Sequence, residues 1–451
     1  MHILEQEDLH YIWHPFTQMQ DWQKETPLVI ESASGVYLKD IHGKKYIDGI
    51  SSLWTNVHGH KKLEIHNAIR KQLRKIAHST MLGSSNVPAI QLAKKLVEIT
   101  PKNLVKVFYS DNGSTAAEIA LKIAFQYWKQ KDNGKYKTKT KFISLSNAYH
   151  GDTVGSVSLG GIDIFHQIYK PLLFETIKIP APYCYRCPVN HKNIKGCKFD
   201  CLKKFEDTIA KEAHNIAAFV IEPLMQGAAG MIKQPNGYLT KIRKICSDNN
   251  ILLILDEVAT GFGRTGKMFA CEKENIQPDI LTMAKGLTAG YLPLAATLTT
   301  KEIFEAFLGN IEDHKTFYHG HTYTGNQLGC VAALANIKIF KKEKVLLLLQ
   351  DKIDFLTKKL EGFKTLNHIG DIRQQGFMVG IELVKNKQDK TPYEITEKIG
   401  HKVILEARKK GVMIRPLGDT IILMPPLSIN KKELEKLLDI TKSSIEIVTQ
   451  K

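Results

Sequence analysis

Three separate segments carry residues whose types and spacing could hold a charged, ring-shaped ligand. The stretch LVKVFYSDNGSTAAEIALKIAFQYW (104–128) reads as a strand ending at Tyr109, a turn, and an Ala-rich amphipathic helix from about Ser114. Gly113 permits close backbone approach, the free N–H groups of a helix start favour an anion, and Ser114 adds a hydroxyl. A plain strand–turn–helix with a serine cap would look the same. In ILLILDEVATGFGRTG (251–266), Asp256 and Glu257 close an apolar strand. The C-terminal edge of an open α/β sheet is where ligands bind, and a carboxylate there can hold a proton on a heterocyclic nitrogen. A turn-capping role is the alternative for Asp256, and Glu257 reads as a structural salt-bridge partner. In PDILTMAKGLTAGYLPLAA (278–296), Lys285 ends a strand and Gly286 leaves room beside its stem. Kept from bulk water and near another cation, such an amine becomes a usable nucleophile, although most lysines after a strand are simply solvated. An anion cradle, an acid and an amine, in the order Gly113-Ser114, Asp256, Lys285, are the three handles that pyridoxal 5′-phosphate requires.

Positioning these groups takes strands and helices in alternation. From about residue 61 to 330 the pattern predicts helices at Leu63–His78, Pro88–Thr100, Ala116–Lys131 and Leu239–Asn249. It predicts strands at Val105–Tyr109, Lys141–Leu145, Ala217–Ile221, Ile251–Asp256 and Asp279–Met283. Unbroken apolar strands such as ILLIL imply a largely parallel sheet covered on both faces. Ahead of this region, GVYLKDIHGKKYIDG (35–49) alternates around His42-Gly43 and predicts a β-hairpin. Beyond it come a helix through Ile337–Phe340, another at Val345–Phe363, and short strands at Gln375–Leu383, Val412–Pro416 and Thr420–Met424. The expected fold class is α/β: a large ligand-binding domain over 61–330 and a smaller α+β domain over 331–451, completed by the N-terminal segment 1–60.

With 451 residues, 43% hydrophobic and 24% charged, the chain exceeds one comfortable core and is neither disordered, collagen-like nor a small disulfide scaffold. No apolar run approaches the roughly 20 residues that span a bilayer, and MHILEQEDLH lacks the apolar centre of a secretory signal. The seven cysteines are odd in number, and reduced thiols suit a cytoplasmic compartment. Lys+Arg 63 against Asp+Glu 46 gives a net charge of +17, which could serve nucleic acid or anionic lipid. The basic residues are dispersed and no nucleic-acid motif accompanies them, so a solvated lysine-rich surface is expected. PYCYRCPVNHKNIKGCKFDC sets Cys184, Cys187, Cys197 and Cys201 at C-x2-C-x9-C-x3-C spacing with His191 between. A structural zinc knuckle uses such spacing; reduced loop cysteines are the alternative.

The segments SDNGSTAAEIALKIA, NAYHGDT, EPLMQGAAGM, LDEVATGFGRTG and AKGLTAGYLP, in that order, make the chain resemble the class III aminotransferases over nearly its full length. The resemblance implies a fold-type-I pyridoxal-phosphate enzyme that works as a homodimer with shared active sites. It implies that Lys285 condenses with the cofactor aldehyde and later carries a proton, and that Asp256 keeps the pyridine nitrogen protonated. Val258 and Tyr149 are implied on the two ring faces, Tyr149 also lining the substrate site, and Gly113 and Ser114 at the phosphate. Thr322 resembles a phosphate ligand donated by the second subunit, with Gly320 shaping the substrate pocket. Between them stands His321, where the family commonly has proline; backbone contact to the cofactor could survive that change. Trp54 is implied as an apolar wall for the substrate chain, a core tryptophan being the alternative, and Arg415 as a bidentate clamp on a substrate carboxylate.

WHPFTQM (13–19), SSLWTNVHGH (51–60), HGHTYTGNQLGC (319–330) and IRPLGDTIILMPPL (414–427) further resemble a branch of the class that serves biotin synthesis. That branch aminates a long-chain keto acid, with S-adenosylmethionine or lysine as donor. Phe16 stands where the branch typically carries a tyrosine touching both substrates. If the adenine-bearing donor needs that hydroxyl, lysine is the donor, although one neutral hydrogen bond is worth only about 1 kcal/mol. The resemblance offers no metal, so none is expected at the cysteines. Another ω-aminotransferase, acting on 4-aminobutyrate, ornithine or a diamine, is the enzymatic alternative. A basic nucleic-acid-binding protein with a zinc knuckle is the non-enzymatic one, and it leaves Asp256 and Lys285 unexplained.

Overall fold

A computed structural model describes residues 1–189 and 197–450. At its centre lies a seven-stranded sheet in the order Leu104–Ser110, Ala295–Thr300, Ile280–Met283, Leu252–Asp256, Ile216–Ile221, Lys141–Leu145, Ile177–Ile179. Ala295–Thr300 runs antiparallel to both neighbours, and every other pairing is parallel. Ile216–Ile221 and Leu252–Asp256 are buried at every position. One face packs Val220 and Ile254 with Ile119, Ile123 and Trp128 of the helix Gly113–Gln130. The other packs Phe219, Leu253 and Leu255 with Leu239 and Ile242 of the helix Tyr238–Asp248. Cover on both faces is the physical reason these strands are unbroken apolar runs.

The parallel direction has a second consequence. Ile216–Ile221, Leu252–Asp256 and Ile280–Met283 point the same way, so the residues at or just past their ends, Glu222, Asp256 and Lys285, arrive at one edge of the sheet.

Several elements depart from expectation at their ends. The helix expected over 63–78 stops at Leu73. The residues after it are drawn to another loop: Asn326 Nδ2 donates to Ala77 O at 3.2 Å, Asn86 Nδ2 to Gly325 O at 3.0 Å, and Gln327 Nε2 to Ser79 Oγ. The helix expected from Ala116 begins at Gly113, capped by Asn112, whose Oδ1 accepts from Thr115 N–H at 3.0 Å. The strand expected over 375–383 is two: Ile369–Gln375 ends, the chain turns at Gly376 (φ 63°), and Met378–Leu383 returns antiparallel. The strand expected over 412–416 divides between two sheets. Val412–Met413 pairs with Lys45–Asp48, and Arg415–Leu417 pairs with Thr420–Leu423. Tyr37–Asp40 and Lys45–Asp48 form the expected hairpin, and through Val412–Met413 it joins the C-terminal region in a four-stranded sheet. Among the described residues, no helix is long and apolar enough to cross a membrane.

Phe219 has no exposed surface and meets Phe205 edge-on, ring centroids 4.9 Å apart. Phe219→Ala is expected to cost about 3–5 kcal/mol through lost burial and the cavity left behind, read as a lowered melting temperature in calorimetry.

Candidate active site

A cavity of about 510 Å³ opens at the shared sheet edge. Of the residues singled out from sequence, Phe16, Trp54, Gly113, Ser114, Tyr149, Asp256, Val258, Lys285 and Arg415 line it. They come from both terminal regions and from the central sheet, so the site exists only in the folded chain.

One end of the cavity is built for an anion. Gly113 and Ser114 are the first residues of an 18-residue helix, and the Asn112 cap uses the Thr115 N–H. That leaves earlier first-turn donors for a ligand. A Cβ at Gly113 would come within 2.7 Å of Val258 Cγ1, so only glycine lets the helix start lie this close. Gly151, at φ 123°, repeats the device: a Cβ there would sit 1.9 Å from Ser114 Oγ. Ser114 Oγ accepts from Asp152 N–H at 3.0 Å and keeps its own proton to donate.

The middle of the cavity concentrates charge. Asp256 Oδ2 lies 2.7 Å from His150 Nδ1, so that nitrogen carries the proton toward the carboxylate. Asp256 Oδ1 accepts from Val258 N–H at 3.0 Å. Among the described residues, His150 Nε2 is buried without a partner. Glu222 accepts from Gly227 N–H at 2.8 Å and Tyr149 N–H at 3.3 Å, and burial pushes its carboxyl up to about 7. Lys285 is turned out of the strand direction at φ 42°. Burial lowers the affinity of its amine for a proton, the nearby Arg264 charge acts the same way, and the Asp256 and Glu222 carboxylates oppose them. Lys285 Nζ sits 4.8 Å from the centre of the Trp54 ring.

The remaining walls are largely aromatic and apolar. Tyr149 lies parallel to the His166 ring at 6.3 Å and donates its hydroxyl to Asp152 Oδ2 at 2.6 Å. Phe16 (φ 51°) meets Phe165 edge-on at 5.3 Å. Arg415 is partly buried and no carboxylate among the described residues pairs with it, which leaves its guanidinium open to a ligand anion. Donors at one end, a carboxylate facing the middle and an amine whose proton affinity burial has lowered fit a flat ring bearing a phosphate, a basic nitrogen and an aldehyde.

Sequence reasoning missed four contributors. Glu222 follows an apolar strand as Asp256 does, and that signal was available. His150 adjoins Tyr149 and Arg264 stands in GFGRTG, both within segments already noticed. Arg264 is buried and donates to Ser51 Oγ, Asn56 O and Pro425 O. Phe165 carried no local signal.

Other expected residues lie elsewhere. Gly320 and Thr322 are exposed and do not line this chain's cavity, while His321 Nδ1 is 3.3 Å from Asp111 Oδ2 at its rim. Glu257 is no salt-bridge partner: it is buried and accepts from Thr260 Oγ1, Ala270 N–H and Cys271 N–H. These three donors satisfy a carboxylate that burial pushes up to about 7. Cys184 and Cys197 are partly exposed thiols and Cys201 is a buried one. Among the described residues no group of three or more His, Cys, Asp or Glu side chains is arranged to hold a metal; His191 lies outside them.

Fold and cavity together define an α/β transferase site, and comparison with known proteins gives its class. A family model for the class-III aminotransferases matches residues 18–445, and the chain belongs to that family. The adenosylmethionine-8-amino-7-oxononanoate aminotransferase of Anoxybacillus flavithermus is 54% identical over 441 residues, covering 98% of this chain and 96% of that protein. The crystal structure of the protein of that name from Methanocaldococcus jannaschii matches with a TM-score of 0.93 at 49% identity, covering 99% of each chain. An (S)-enantioselective omega-transaminase from Thermomicrobium roseum reaches 0.93 at 33% identity, covering 99% of this chain and 98% of that one. The fold is therefore fold-type I, with a mixed seven-stranded sheet.

Above about pH 7, where Glu222 is charged, its carboxylate favours the Lys285 ammonium. Glu222→Gln removes that charge, so the Lys285 amine should lose its proton at lower pH than in the parent protein. The pH dependence of the rate at which Lys285 captures an aldehyde should shift its acid limb downward; an upward shift or none contradicts this reading.

Proposed function

We propose that the protein transfers an amino group to 8-amino-7-oxononanoate, giving 7,8-diaminononanoate in biotin synthesis, with pyridoxal 5′-phosphate as cofactor. The observation that carries this reading is the buried Lys285 amine sharing one cavity with Asp256 and the helix start at Gly113, in a chain half identical to proteins of that name. The cofactor, when bound, supplies an aldehyde carbon that carries the amino group and a ring that accepts electrons.

The chain's own residues then have distinct tasks. Lys285 Nζ, its proton affinity lowered by burial, would serve as the nucleophile and would take and return a proton at the substrate carbon. Asp256 would hold a proton on the ring nitrogen, with His150 holding Asp256 in place. Gly113 and Ser114 would bind the phosphate, Val258 and Tyr149 would flank the ring, and Trp54, Phe16 and Phe165 would exclude water along the substrate chain. Arg415 clamps the distal carboxylate of the keto acid. The amino donor is S-adenosylmethionine, as the relatives' names state, or lysine; Phe16, lacking a hydroxyl, favours the second.

The working form is a homodimer in which Thr322, with Gly320 and His321 beside it, serves the partner's phosphate and substrate sites. Their place on an exposed loop, near large apolar side chains left bare such as Leu82 and Tyr318, supports this. The buried thiols of Cys246, Cys271 and Cys330 support a cytoplasmic enzyme. The sheet joining residues 30–48 to Val412–Met413 supports a small domain built from both termini around the large one.

Purified protein given the keto acid with S-adenosylmethionine, lysine or 2-oxoglutarate-linked donors in separate reactions should form the diamine with one of the first two. Diamine formation should fall about a thousandfold or more in Lys285→Ala, the range lost with a nucleophilic group. Turnover that survives this change ends the assignment. Arg415→Ala should raise the KM for the keto acid about 10- to 100-fold, the worth of a charge-assisted contact, with little effect on a donor series lacking the distal carboxylate.

A further inference from the structure

Four consecutive residues that are not glycine, Ser51, Ser52, Leu53 and Trp54, have φ of 53°, 47°, 69° and 69°. With ψ of 52° and 56° at Ser52 and Leu53, the chain makes one turn of left-handed helix at the cavity wall. None of the four is a residue that visits this region readily, and such a run persists only when its surroundings over-determine it.

The surroundings are specific. Asp48, whose side chain has no exposed surface, ends the strand Lys45–Asp48. Its Oδ1 accepts from Ser52 N–H at 2.9 Å, and its Oδ2 accepts from Ser52 Oγ–H at 2.8 Å and lies 3.1 Å from His60 Nε2. On the other side Ser51 Oγ donates to Met424 O at 2.6 Å and accepts from Arg264 Nη1 at 3.1 Å. The clamp is therefore anchored on a sheet and not on the turn itself. What the turn delivers is Trp54, its ring 4.8 Å from Lys285 Nζ, with Leu53 on the same cavity wall. The space for that ring is cut close: a Cβ at Gly227 would lie 3.1 Å from Trp54 Cζ3.

We propose that Asp48 is a positioning residue, whose two-point hold on Ser52 keeps the turn left-handed and thereby holds Trp54 against the Lys285 amine. This rests on the aminotransferase reading for its meaning in turnover, and the position of Trp54 is measured independently of turnover.

Acrylamide quenching of Trp54 emission, obtained by subtracting the matching Trp54→Phe protein, reports whether the ring stays covered. In Asp48→Ala the quenching constant should rise about twofold or more. The KM for the keto acid should rise about tenfold with kcat changed less than about threefold, as when ground-state and transition-state binding are lost together. Adding Ser52→Gly to Asp48→Ala should return both readouts to within about twofold of the parent, because glycine adopts the left-handed conformation without cost. A purely structural role for Asp48 would not be rescued by that glycine. Quenching that is unchanged in Asp48→Ala, or not restored by Ser52→Gly, overturns the proposal. Should the alanine variant not fold, the isosteric Asp48→Asn decides by the same quenching measurement, an unchanged constant again overturning it. A parent protein that fails to aminate the keto acid removes the reaction reading, and the quenching result still decides the role of Asp48 in holding Trp54.

Discussion

An ammonium group gives up its proton near neutrality only where water is withheld and nearby negative charge does not make up the loss. Lys285 is subject to both influences. Burial lowers its proton affinity while Asp256 and Glu222 pull the other way, and the outcome depends on how much charge each carboxylate presents. Burial also pushes the Glu222 carboxyl up to about 7, so this acid presents less charge as the pH falls. His150 occupies one oxygen of Asp256, and the Trp54 ring lies 4.8 Å from the amine.

The rest of the architecture serves this balance. Parallel strands bring the two acids and the lysine to one sheet edge, where strand ends cannot be moved without breaking ladder hydrogen bonds. Close packing at Gly113 against Val258, and at Gly151 against Ser114, draws a helix start toward the same spot. The left-handed turn at 51–54 adds a wall from the N-terminal segment. Arg264 ties that turn to the C-terminal region through Ser51, Asn56 and Pro425. Segments hundreds of residues apart thus meet around one amine.

The central strands were legible because burial on both faces forces unbroken apolar runs, and a charged residue at the end of such a run marks the ligand edge. Asp256 and Lys285 were read this way. Glu222 obeys the same rule after IAAFVI, and its place at the end of that strand is its local signal. The stretch 412–416 looked like one strand, since a period of two reveals which residues alternate but not which sheet each half joins. The helix at Leu63–Leu73 gave no stop signal in its own residues, because its end is set by hydrogen bonds from a loop some 250 residues away.

Residue order alone therefore determined the kinds of chemistry available and the sheet edge that would carry them, because periodicity and strand-end charge are local properties. The left-handed conformation of Ser51–Trp54, the pairing of His150 with Asp256 and the open guanidinium of Arg415 were decided only by tertiary structure. The turn depends on Met424 and Arg264, and the pair joins residues far apart in the chain, contacts that do not exist until the chain has closed; the guanidinium is open because folding brings no carboxylate of the described residues beside it.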